Sequence, residues 1–85
     1  MTEDEIIARG SQATIILNDE RIMYFFDEMK SLIKDATFNT EPGETVERER
    51  LYYQLRGIED VLNTMLGYSA KAEELLAAHS STEVD

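Results

Sequence analysis

Few side chains in this 85-residue chain are of kinds that do chemistry, and His79 comes first because it is the one histidine. An imidazole can ligate a metal or act as a general base, and both roles need partners that converge on it. There is no second histidine and no cysteine to join it. At the end of a helix, a histidine is also simply a favourable cation for the helix dipole. The pairs Asp19-Glu20, Asp27-Glu28, Glu59-Asp60 and Glu73-Glu74 have the composition of acid/base dyads. Adjacent helical residues point about 100° apart, so each pair spreads over a solvated face instead of closing on a substrate. No glycine-rich phosphate loop or nucleophile elbow is present. These residues predict no catalytic, cofactor-binding or metal site, and a protein that is not an enzyme.

Recognition is better supplied. Tyr24-Phe25-Phe26 and Tyr52-Tyr53 are runs of adjacent aromatics. Neighbours in sequence cannot share one core face, so at least one of each run is left outside, where aromatics favour protein contacts. The candidate interface residues are Met23, Tyr24, Phe26, Tyr52, Tyr53 and Tyr68. In Glu47-Arg48-Glu49-Arg50, both arginines are either ordinary surface or available to a partner's carboxylates.

The elements that must position these groups are helices. From Leu51, apolar residues recur in alternating steps of four and three: Leu55, Ile58, Leu62, Met65, the polar Ser69, Ala72 and Leu76. Such a heptad seam lies on one side of a helix. Val61, Tyr68 and Leu75 widen one flank, and Tyr52 and Leu66 the other. This long helix is expected over about 45–79. Thr2 followed by Glu5 has capping-box spacing and opens a first helix over about 3–17, with Ile6, Ile7, Ala13, Ile16 and Leu17 as its apolar face. Gly10 lies on that face. It marks either close approach of another helix or a tolerated weak point costing about 1 kcal/mol. Asn18-Asp19 breaks the phase and supplies an N-cap. A second helix follows over about 19–37, with Ile22, Phe25, Met29, Leu32 and Ala36 as its core seam and Phe26 and Ile33 beside it. Pro42-Gly43 marks a loop over 38–44. Gly57 and Gly67 interrupt the long helix and suggest close packing or a bend. Glu44 with Arg48, and Arg56 with Asp60, stand four apart and are expected to pair. The polar stretch 80–85 is expected to fray.

The expected fold class is all-α, a single domain over 1–85. It takes the form of an antiparallel helical hairpin, with the long C-terminal helix packed on a broken N-terminal arm. The net charge of -10, from 18 acids against 8 bases, argues against direct nucleic-acid binding, because phosphates need a basic surface. No apolar run reaches the ~20 residues of a membrane span, and the acidic start is unlike a basic signal-peptide start. A cytoplasmic setting without membrane contact is therefore expected. So small a chain without disulfides or metal is stabilised by association, which predicts a homo-oligomer or docking on a larger protein.

The order Arg9-Gly10, Ala13, Leu17-Asn18-Asp19, then Arg48-Glu49, Leu51-Tyr52, Leu55-Arg56 resembles a set of small tailed-bacteriophage proteins of the head and packaging gene cluster. The resemblance runs over residues 9–76. Where those proteins often carry Trp, this chain has Phe38 or Tyr52. The resemblance implies a virion or assembly component with no catalytic residues, present in host cytoplasm during assembly and then in the particle. The acidic charge suits a different class, a small inhibitor that offers carboxylates in place of phosphates to a host nucleic-acid enzyme. Its acids, however, are interrupted by bases and spread over all the helices.

Overall fold

A computed structural model describes residues 1–83, with side chains through residue 80. The chain is all-helical: α1 is Glu3–Leu17, α2 is Glu20–Phe38 and α3 is Thr45–Glu83, with no strand among the described residues. The molecule measures 65 × 25 × 17 Å. At 1.5 Å per residue, α3 alone spans about 58 Å and sets the long axis. It continues past the expected end near 79 because Ser80, Ser81 and Thr82 are only mildly poor helix formers and no Gly or Pro stops it. The rest of the expected frayed tail, residues 84–85, lies outside the described residues.

Local chemistry explains where the helices begin. The Thr2 hydroxyl accepts from the Glu5 backbone N–H at 3.2 Å and donates to the Glu5 carboxylate at 3.2 Å. Glu3, Asp4 and Glu5 fill the first turn, where the helix dipole favours acids. Asp19 caps α2 by accepting from the backbone N–H groups of Arg21 and Ile22 at 2.9 and 3.4 Å. Its own backbone is extended, and that one residue separates the two N-terminal helices in direction.

α1 meets α3 over small residues. Gly10, Ala13 and Ala72 are buried, as is Leu51 further along α3. A Cβ placed on Gly10 would fall against the Ala72 Cβ and the Tyr68 carbonyl oxygen, and 3.1 Å from the Tyr68 carbonyl carbon. Of the two readings of Gly10, close approach is the one observed. Next to it the Thr14 and Ser69 hydroxyls share a hydrogen bond of 2.6 Å, and Thr14 also donates to the Gly10 carbonyl at 2.9 Å. The polar entry in the heptad seam is thus satisfied across the interface. Glu3 meets His79 at 2.6 Å, so partners on α3 fall in number as those on α1 rise. α1 meets Tyr68, Ser69, Ala72 and His79, so the contact follows the heptad line as far as Ala72 and then leaves it, with Leu76 48 % exposed. A straight helix drifts by about 20° per heptad against a 3.5-residue repeat, which moves the contact line in this way.

α2 departs from the expectation. Its half-buried row is Met23, Phe26, Lys30, Ile33, Thr37 and Thr40, while the expected core seam of Ile22, Phe25, Met29, Leu32 and Ala36 faces outward. Both rows have helical spacing. The Arg48 guanidinium donates to Thr40 Oγ1 at 3.2 Å, the Glu41 carbonyl at 2.7 Å and the Pro42 carbonyl at 3.1 Å, holding the loop that joins α2 to α3. Arg48 is therefore committed to its own loop. Arg50 pairs with Glu47, and the expected pairs of Glu44 with Arg48 and Arg56 with Asp60 do not form. Gly57 and Gly67 do not pack closely: a Cβ at either would meet nothing within 4 Å.

Candidate functional site

The outward row of α2 is the most prominent feature of the surface. Phe25 and Leu32 are each 61 % exposed, with Met29 and Ile22 less so. The 3.6-residue repeat places Ile22, Phe25, Met29, Leu32 and Ala36 on one side of the helix, over about four turns. Beside this row α2 and α3 leave an open groove of about 500 Å³, walled by Phe26, Met29, Leu32 and Ile33 and, from α3, by Tyr53, Gln54, Gly57, Ile58 and Val61. Gly57 contributes no side chain, and nothing lies within 4 Å of a Cβ built on it. Tyr53 and Val61 are themselves largely exposed. Together the row and the groove make a continuous apolar face, which exceeds what a lone soluble helix leaves uncovered.

The six candidate interface residues do not fall on one surface. Phe26 and Tyr53 line the groove. Met23 and Phe26 are half-buried on the side of α2 that faces the rest of the chain. Tyr24 stands away from the groove, edge-on to Phe25 with ring centroids 5.6 Å apart. Tyr52 packs edge-on against Tyr53 at 5.5 Å. Tyr68 lies half-buried at the other end, beside a smaller hollow with Met1, Ile6, Thr64, Gly67 and Lys71. Phe25, Met29, Leu32 and Val61 complete the apolar face, and reading the sequence alone assigned the first three to a core. Spacing alone does not distinguish the two rows.

Nothing at this face resembles a reaction centre. The groove walls carry no titratable group apart from the Tyr53 phenol. No three metal-capable side chains converge among the described residues, and no described helix is long and apolar enough to cross a membrane. His79 and Glu3 face each other across the α1–α3 contact, both about half exposed, so each already has a partner. The groups with altered acidity are structural. The Arg21 side chain holds the Asp19 carboxyl below its ordinary range, helped by the Arg21 and Ile22 backbone N–H groups. The Arg50 hydrogen bond lowers Glu47, and Glu47 in turn raises Arg50. No known family model, curated protein or solved structure matches the chain.

Proposed function

We propose that the protein is a non-enzymatic structural or assembly component: a helical hairpin in which α1 and α2 fold back along α3, completing its core against another helical surface. The observation that carries this reading is the uncovered α2 row with its adjoining groove. Among the described residues, the buried ones are Gly10, Ala13, Leu51 and Ala72, a small core for three helices. Burying a side chain such as Phe25 or Leu32 is worth up to roughly 1.5–3 kcal/mol. Several of these together rival the ~5–15 kcal/mol net stability of a typical domain. A partner that covers the row therefore changes the chain from marginal to stable.

The resemblance to small phage proteins supports a setting in the tailed-phage head, where such a hairpin packs against itself or a larger virion protein. On this reading the chain is phage-encoded, and the test is a density gradient of the particles of that phage. The protein co-sediments with particles, and Phe25→Glu/Leu32→Glu abolishes this while leaving the chain helical by circular dichroism. A chain that stays wholly in the soluble fraction refutes the virion setting. Co-sedimentation that survives the double substitution refutes the role of the α2 face.

A further inference from the structure

We infer that the exposed row of α2 receives a second copy of this chain, bound antiparallel across a two-fold axis near Met29. The inference rests on the assembly reading above and names the occupant of its surface.

Three observations select this occupant. The first is area. The exposed parts of Ile22, Phe25, Met29, Leu32, Tyr53 and Val61 amount to roughly 600 Å² per copy, near the ~800 Å² per partner of a standard stable interface. The second is shape. A two-fold axis at Met29 sets Ile22 opposite Ala36 and brings Phe25 level with the Leu32–Ile33 turn, so that large side chains face smaller ones. Leu32 is also a wall of the groove, so the second copy's Phe25 arrives beside the open space over Gly57, where nothing lies within 4 Å of a Cβ. The third is charge. Arg21, Glu28 and Asp35 stand seven residues apart on the row just outside Phe25 and Leu32, and the Arg21 side chain is 90 % exposed. In a parallel two-fold pair this row lies on opposite flanks of the seam in the two copies, so Arg21 gains no Asp35. Antiparallel pairing about Met29 keeps the row on one side of both helices, brings Arg21 within a turn of Asp35 twice and leaves only Glu28 near its own copy. The charge row therefore favours the antiparallel arrangement over the parallel one, which gains no such pair.

The chain contains no cysteine, so single cysteines report geometry cleanly. In oxidative cross-linking of the full chain, Met29→Cys forms a covalent dimer with itself. Ile22→Cys does so only when mixed with Ala36→Cys. A second measurement is sedimentation equilibrium. Asp35→Arg weakens the dimer about tenfold, and Arg21→Glu/Asp35→Arg restores it, because the swapped pair is again opposite in sign. All these positions are exposed, and helicity by circular dichroism checks that each variant folds. A wild-type chain that sediments as a monomer overturns the inference. So does Ile22→Cys cross-linking to itself as fast as Met29→Cys, or a dimer unchanged by Phe25→Glu/Leu32→Glu. A monomer that still enters particles through its α2 face would overturn the second copy and leave the assembly reading standing; a dimer absent from particles would do the reverse.

Discussion

Gly10→Ala is the sharpest perturbation of the fold, because two opposing effects act at one atom. Alanine is about 0.8–1 kcal/mol better than glycine in a helix interior, so propensity alone favours the variant. The new methyl group, however, falls against the Ala72 Cβ and the Tyr68 carbonyl oxygen. A backbone carbonyl inside α3 cannot rotate away, so α1 must move outward. That movement stretches the 2.6 Å Thr14–Ser69 hydrogen bond and opens the contact of buried Ala13 and Ala72. Overpacking of this kind costs about 1–3 kcal/mol, and the lost hydrogen bond about 1 kcal/mol more. The steric term wins, and the net loss is about 1–3 kcal/mol. For a chain of this size each kcal/mol shifts Tm by about 4–8 °C. Gly67→Ala is the matched control: it has the same propensity gain, and nothing lies within 4 Å of its Cβ. Thermal unfolding by circular dichroism at one fixed protein concentration should lower Tm for Gly10→Ala and raise it for Gly67→Ala. Equal shifts of the same sign would refute the close approach of α1 to α3.

Arg48→Ala removes the guanidinium contacts to Thr40, Glu41 and Pro42; it should cost about 1–2 kcal/mol and speed amide exchange in the 39–44 loop, with Arg48→Lys recovering only part, since an ammonium lacks the planar fork. Asp19 and Glu47 have folded-state pKa values below their ordinary ones, so the stability they add is present above the ordinary carboxylate range and is lost as pH falls through the lowered values. Acid unfolding followed by circular dichroism should therefore begin at higher pH in Asp19→Asn than in the wild type. His79→Ala should leave assembly intact and cost no more than an exposed surface contact, under about 1 kcal/mol, and chelation of divalent metal should leave both assembly and Tm unchanged; a Tm that falls on adding chelator would contradict a fold without a metal role.

Helix positions were legible wherever one periodicity stood alone. The face of α1 with Gly10 and Ala13, and the α3 line from Leu51 to Ala72, follow from spacing. Thr2 and Asp19 announce their caps by type, and Pro42-Gly43 announces the loop. α2 was ambiguous because it carries two rows with the same spacing. The more apolar row looks like the core, yet the row containing Lys30, Thr37 and Thr40 is turned inward. Spacing alone does not choose between the rows; the choice is tertiary. The Thr14–Ser69 and Glu3–His79 contacts, 55 and 76 residues apart, leave no local trace in sequence. The apolar face was legible as an excess of hydrophobic residues, but not as a location.

If association through the α2 row completes this fold, the Tm of the full chain depends on protein concentration. Over a hundredfold range, with the mass read in parallel by sedimentation, Tm should rise with concentration, as mass action requires when only the folded form associates. Leu32→Glu should flatten this dependence and leave a helical monomer. A wild-type chain that is monomeric throughout, with a Tm independent of concentration, would contradict completion of the fold by association.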